Sequence, residues 1–172
     1  MSENKGNKNS KRTLWLIAVS GIFAALVFIG TQIRFPTAIG YINFGDAVIL
    51  VASYFIGPVA FFPAAIGSAL SDLIAGYPMY IAPTFVIKGI MGVIAGLIML
   101  KSKGKNAVSI ILRIVAAVAA ELIMVGGYFA FEALYYDVAA AAGSVPFNFI
   151  QAGAAVVIAI PLTFAIRVKK QK

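Results

Sequence analysis

The feature that most constrains this chain is the length of its uncharged runs. Residues 14–33 contain no charged side chain, and further mainly apolar runs cover residues 47–74, 84–100, 108–134 and 147–168. A helix that crosses a bilayer needs about 20 predominantly apolar residues. Inside lipid, every backbone N–H and C=O must be paired within the protein, which selects helices or closed barrels. Runs this long read as helices. Hydrophobic residues make up 62% of the 172 positions and charged ones 12%, whereas a soluble domain is roughly half apolar and a quarter charged. A water-facing globule cannot hide that much apolar surface. The expected fold class is all-α: a one-domain polytopic membrane protein.

The stretch 47–74 decides how many times the chain crosses. Gly57-Pro58 lies near its middle and Pro63 follows, so it is either one bent helix or two short ones. Basic residues discriminate, because cytoplasmic loops carry the excess of Lys and Arg. With six helices, the basic N-terminal segment, the KSKGK cluster at 101–105 and the closing RVKKQK all fall on the cytoplasmic side. Arg34 is then alone among basic residues on the outer side, with Glu132 and Asp137. With five helices, the cluster and the C-terminus land outside. Six transmembrane helices with both termini cytoplasmic are therefore expected. Residues 1–13 form a basic, unstructured cytoplasmic tail, 14–168 the transmembrane unit, and 169–172 a second cytoplasmic tail. The run after residue 13 is too long for a signal-peptide core and reads as a retained first helix. Segments 36–46, 75–83 and 135–146 read as loops. Short, Gly/Pro-interrupted helices two and three are tolerated where they line a cavity.

Several functions are excluded by what is missing. The chain has no cysteine and no histidine, so it offers no thiolate, no cysteine metal site and no Ser-His pair. It has no GxxxxGK[ST] loop and cannot drive transport with ATP by itself. A net charge of +8 invites a nucleic-acid reading, but the basic residues sit in short clusters between apolar runs, where topology explains them.

The few polar residues within apolar runs carry the functional signal, since such groups face a bundle interior or a cavity. Asp46 starts helix two and Asp72 ends helix three, both toward the outer side. Lys88 lies one turn into helix four, sharing a face with Thr84. Glu121, Tyr128 and Glu132 form a stripe on helix five, and Asn148 and Gln151 open helix six. Singly, these residues fit a salt bridge from Lys88 to Asp46 or Asp72, or an N-cap by Asn43 or Asp46. Together they point to a ligand pocket at the outer side. Tyr41, Tyr77, Tyr80, Tyr128, Tyr135 and Tyr136 read as an interfacial belt, some of them free to stack on a planar ligand; Trp15 reads as an anchor at the inner edge. Ser20, Gly21, Ala24 and Ala25 give helix one a small-residue face that admits close helix contact.

Three stretches, YINFGDAVILVASYFIGP, GSALSDLIAGYPMYIAPTFVIKGIMG and VPFNFIQAG, resemble the substrate-binding S components of energy-coupling factor (ECF) vitamin transporters. The most specific parts are Asn43-Phe44-Gly45-Asp46, residues 67–72, Thr84 with Lys88, and Asn148 with Gln151. Within that group the chain looks most like the hydroxymethylpyrimidine or pyridoxine branch, and riboflavin-type S components share much of the look. The resemblance implies a six-helix protein of the bacterial cell membrane that captures a vitamin from outside. It implies a membrane coupling protein and two ABC-type ATPases as partners, with ATP hydrolysed by those ATPases and no cofactor in this chain. It also implies that helix one meets the coupling protein. The chain departs from a strict Ala-xxx-Ala pair there, keeping Gly21 with Ala25 and Ser20 with Ala24.

The resulting expectation is a substrate-capture subunit and not an enzyme. Its pocket is expected to be built from Tyr41, Asn43, Asp46, Tyr80, Thr84, Lys88, Tyr128, Glu132, Asn148 and Gln151, with Ser20, Gly21, Ala24 and Ala25 as the partner face. Riboflavin capture and a self-sufficient ion-coupled carrier are the alternatives.

Overall fold

The computed structural model describes residues 3–37, 40–104 and 106–165. Six α-helices make up the body: α1 Glu3–Gln32, α2 Gly45–Ile56, α3 Phe61–Ala75, α4 Ile81–Met99, α5 Ala107–Tyr135 and α6 Val138–Ala165. A two-stranded ribbon, β1 Arg34–Pro36 and β2 Tyr41–Asn43, joins α1 to α2 with Arg34 opposite Asn43. The sequence reading had a plain loop there. Five stretches are long and apolar enough to cross a membrane, and Gly45–Ala75 counts as one of them.

That stretch contains a reversal. A 3₁₀ turn at Gly57–Ala60 separates α2 from α3, as the Gly-Pro step suggested. Asp46 meets Lys88, and Ser53 Oγ donates to the Gly92 carbonyl at 3.1 Å, so α2 runs down α4 in the same direction. The chain then returns, with Ala60 packed on Gly92 and Phe61 on Gly89. Glycine makes the close approach of α4 to this corner possible: a Cβ at Gly96 would lie 2.3 Å from the Gly57 carbonyl carbon. At 12 and 15 residues, α2 and α3 are about 18 and 22 Å long, shorter than a hydrocarbon core of about 30 Å.

The core is built from alanines and flexible methionines on α2, α4, α5 and α6. Leu50, Met91, Ala95, Ala116, Ala120, Met124 and Ala159 are all fully enclosed. Alanine lets helices approach closely, and methionine fills the irregular gaps that remain. α1 packs on α2 and α3 along one side, with Phe23 and Phe55 ring centroids 5.6 Å apart. Its other side exposes Leu14, Ile17, Ile22, Leu26 and Ile29, while α3 and α6 expose Leu73 and Val157. A continuous apolar surface of this extent belongs against lipid.

Four differences from the sequence reading bear on the site. α6 begins at Val138, inside the segment expected to be a loop. The Asp137 carboxylate accepts the Ala140 N–H at 2.7 Å, capping a run of helix-favouring alanines that carries through Pro146. Asn148 and Gln151 thus lie well inside the helix rather than at its start. α4 begins at Ile81, after a 3₁₀ turn at Pro78–Tyr80, so Lys88 is two turns in instead of one. Asp46 is not an N-cap: Phe44 holds that position, and Asn43 Oδ1 accepts the Gly45 N–H at 2.8 Å. α1 takes in most of the basic stretch expected to be unstructured, with Thr13 Oγ1 donating to the Asn9 carbonyl. Lys105 and the segment 166–172 lie outside the described residues.

At the end of the bundle remote from the ribbon, a buried arginine organises the α4–α5 connection. Arg113 donates to the carbonyls of Ser102, Gly104 and Thr163 and to the Tyr54 hydroxyl, at 2.7 to 3.2 Å. Its guanidinium also lies 4.5 Å from the Tyr54 ring centroid and 4.6 Å from that of Phe164. Lys103 donates to the Tyr54 carbonyl. Burial, and then the Arg113 charge, push the Lys103 ammonium down to about 8. Arg113 carried no assignment in the sequence reading, because a basic residue in the apolar run 108–134 shows neither its depth nor its partners.

Candidate functional site

The ribbon end of the bundle encloses a cavity of about 600 Å³, open mouth included. Its floor is a buried polar chain linking α2, α4, α6 and the ribbon. Lys88 Nζ stands 2.5 Å from Asp46 Oδ1. Gln151 Nε2 donates to Asp46 Oδ2 at 2.5 Å, and Gln151 Oε1 accepts from the Asn43 backbone N–H at 2.7 Å and its side-chain amide at 3.2 Å. Every polar atom of the Gln151 amide is therefore used by the protein, which fixes its orientation. Asp46 is fully enclosed and already satisfied from two sides. Its charge orients the Lys88 ammonium, whose Nζ lies 5.3 Å from the Tyr128 ring centroid.

Two carboxyl groups stand in the walls. Asp72, near the end of α3, accepts the Tyr41 hydroxyl at 2.5 Å. Burial and the adjacent Asp72 carboxyl hold the Tyr41 phenol well above its ordinary value. Glu132, near the end of α5, accepts the Tyr80 hydroxyl at 3.1 Å and bonds Ser144 of α6. Thr84 and Tyr128 share a hydrogen bond of 2.9 Å. Rings of Tyr41, Tyr77, Tyr80 and Tyr128 follow one another at centroid spacings of 5.6, 6.1 and 6.2 Å. Edge-on and tilted contacts at that range are the favourable ones for aromatic pairs. The buried Asn148 Nδ2 has no hydrogen-bond partner within the protein.

Nine of the ten sequence-predicted pocket residues line this one cavity: Tyr41, Asn43, Tyr80, Thr84, Lys88, Tyr128, Glu132, Asn148 and Gln151. Asp46 does not; it lies beneath, behind Lys88 and Gln151. Of the salt bridges left open by the sequence, Lys88 makes the one to Asp46. Glu121 shares a stripe with Tyr128 and Glu132, but it is buried outside the lining, and neither carboxyl oxygen makes a hydrogen bond. Tyr135 and Tyr136 lie outside the lining and are exposed. The cavity also uses residues absent from the predicted set, among them Thr31, Ser68, Asp72, Tyr77, Ser144 and Phe147. Spacing held a signal for two of these: Ser68 and Asp72 are four apart and share a helix face. Ser144 was hidden because the start of α6 reads as a loop.

The small-residue face on α1 divides. Ala24 turns toward α3, where a Cβ at Gly67 would sit 2.6 Å from the Ala24 carbonyl oxygen. Gly21 and Ala25 are exposed, and space around Gly21 is open. None of the four α1 residues reaches the cavity.

Apolar helices around a cavity that offers a cation, carboxyls, amides and ring faces at one end define a polytopic membrane protein built to hold a small polar ligand. Among the described residues, no cluster of three or more acids could hold a metal ion. Residues 11–168 match the family described as the ECF-type riboflavin transporter, S component, and the chain belongs to that family. It is accordingly the membrane-embedded, substrate-binding subunit of an ECF transporter, which associates with a coupling protein and ATPases. The family is a transporter component and not an enzyme class. The chain is also 34% identical to an uncharacterized protein in a gap 3′ region of Pyrococcus woesei, over 79% of this chain and 88% of that one.

Proposed function

We propose that this subunit captures a small, one-ring heteroaromatic vitamin or precursor, hydroxymethylpyrimidine or pyridoxine, from outside the cell. The observation that carries this is the convergence of Lys88, Glu132, Asn148 and Tyr128 on one cavity. Ligand sites fix orientation with a few placed polar groups. Here the Lys88 ammonium and the unpartnered Asn148 amide supply donors, and Glu132 an acceptor. Riboflavin is the second reading, favoured by the family description. Three fused rings ending in a dimethylbenzene edge ask for broad aliphatic walls. Among the described residues, the lining has one aliphatic side chain of any size, Ile42, which favours the smaller, more polar ring.

In this reading all six helices cross the membrane, with the short α2 and α3 as separate spans. Both termini and the Lys101–Lys103 side are cytoplasmic. Cysteines introduced at Lys103 and Met79 test this: an impermeant thiol reagent should label position 79 in intact cells and spare 103. Coupling to the partner module runs through the exposed part of the α1 face. Gly21→Leu with Ala25→Leu should abolish ATP-dependent uptake while the purified subunit still binds its ligand. Normal uptake by that variant would remove α1 as the coupling surface. Uptake by the chain alone in ATP-free vesicles would favour the ion-coupled carrier instead.

Calorimetry on the purified chain tests the ligand. Losing one partner of a desolvated hydrogen bond costs about 1–3 kcal/mol, roughly tenfold to a hundredfold in affinity. Glu132→Gln and Asn148→Ala should each weaken binding by that much while the protein stays folded. Unchanged affinity in both would remove them from the pocket. Nanomolar riboflavin binding with flavin fluorescence quenching, and no binding of the one-ring compounds, would replace the first reading by the second.

A further inference from the structure

The charges around the cavity are unbalanced. Two carboxyl groups, Asp72 and Glu132, stand in its walls. A third, Asp46, lies directly beneath. Against these, Lys88 is the one cation among the described residues of the lining, and its ammonium is already held 2.5 Å from Asp46. Arg34 does not enter: its guanidinium lies 5.3 Å from the Tyr41 ring centroid, bonded to Gln32, and is not part of the lining. The first N–H of α2, which an anion would otherwise seek, donates to Asn43 Oδ1.

We propose that the cavity selects by charge, accepting an uncharged or cationic ring compound and rejecting its phosphate ester or any other anionic relative. This rests on the capture reading above and adds to it the charge of the substrate. A phosphate is recognised by forked cationic donors or free backbone N–H groups. Here it would lose its water and meet carboxyl oxygens in a low-dielectric site, where like charges repel strongly. The Asp72 and Glu132 carboxyls instead suit ligand donors such as ring amino groups, hydroxyls or a protonated ring nitrogen. A transporter so built takes up the free alcohol. The class of reaction that must follow inside the cell is then phosphorylation of that hydroxyl, and the class that supplies the substrate outside is phosphate-ester hydrolysis.

Calorimetry on the purified full chain in detergent, using matched pairs, tests this: pyridoxine against pyridoxine 5′-phosphate, hydroxymethylpyrimidine against its monophosphate, riboflavin against its 5′-phosphate. The alcohol that binds should do so about a hundredfold or more tighter than its phosphate ester, the scale of a like-charge clash. An uncharged acetate ester of the same alcohol separates size from charge, and it should bind closer to the alcohol than the phosphate does. In Asp72→Asn or Glu132→Gln, the gap between alcohol and phosphate should narrow by about tenfold. A phosphate ester that binds within about threefold of its alcohol overturns the inference. So does an acetate ester excluded as fully as the phosphate, which would make the selection steric. Failure of every alcohol and every ester to bind would instead defeat the capture reading, and this inference with it.

Discussion

Replacing Asp46 by Asn should destabilise the protein by an amount the geometry sets. Asp46 is 0% and Lys88 3% exposed, and their charges are 2.5 Å apart. Asn keeps the volume but removes the charge that holds the Lys88 ammonium. It also turns an NH₂ group toward either Lys88 Nζ or Gln151 Nε2, both donors. Removing one partner of a buried ion pair costs about 3–5 kcal/mol, because the other charge is left uncompensated. For a chain of this length about 1 kcal/mol corresponds to about 2–4 °C in Tm. The variant should therefore unfold roughly 6–20 °C below the parent in a thermal scan in detergent. Lys88→Met should lose a comparable amount. The double variant Asp46→Asn with Lys88→Met has neither charge stranded and should lose less than the two single losses added together, a coupling of about 0.5–3 kcal/mol in the double-mutant cycle. Two results would refute the reasoning: an Asp46→Asn variant within about 2 °C of the parent, or single losses that simply add in the double.

Three further outcomes are expected. Gly96→Ala should lower the Tm, because its Cβ would lie 2.3 Å from Gly57 backbone and overpacking costs about 1–3 kcal/mol; Gly126→Ala, with open space around it, should leave the Tm unchanged or raise it by up to about 1 kcal/mol of helix propensity. Arg113→Met should destabilise by more than 3 kcal/mol, since each buried carbonyl stranded at Ser102 or Thr163 costs about 1–3 kcal/mol, and Arg113→Lys should not rescue it, as one ammonium cannot reach acceptors spread over a fork. Because the folded chain holds the Lys103 proton less tightly than the unfolded chain does, stability should rise with pH from about 8 to about 10.5 and stay level below that window; denaturant unfolding across this range should show the rise in the parent and lose it in Lys103→Met.

How much of the site could be read in advance varied with the kind of residue. Lys88, Glu132, Asn148 and Gln151 stood out because a polar side chain in an apolar run has few tolerable places, all inside the bundle. Their shared end of the bundle followed from the order of the apolar runs, although Lys88, Asn148 and Gln151 lie further from the starts of their helices than expected. Asp46 stood out for the same reason, yet what it does depends on geometry. The sequence left it free to be an N-cap, an ion-pair partner or a ligand contact, and only the packing of α2 against α4 and α6 made it the buried support of Lys88 and Gln151. Gln151 was expected in the pocket and lines the cavity, while its amide also bonds Asn43 and Asp46, partners that spacing alone did not show.

The sequence by itself determined that the chain is helical and polytopic and which polar residues share an end of the bundle. These depend on hydropathy and period, which are local. The turn at Gly57–Ala60 was legible in the same way, from a Gly-Pro step. The start of α6 was missed although its causes are local: four alanines and an Asp137 cap outweigh the helix-breaking reputation of Pro146. Tertiary structure alone decided that Arg113, indistinguishable in sequence from any other charge in an apolar run, gathers the carbonyls of Ser102 and Thr163 from two segments far apart in the chain. It alone separated Asp72 and Glu132, which line the cavity, from Asp46 and Glu121, which do not. Those outcomes are sums over residues distant in the chain, and no window of sequence contains them.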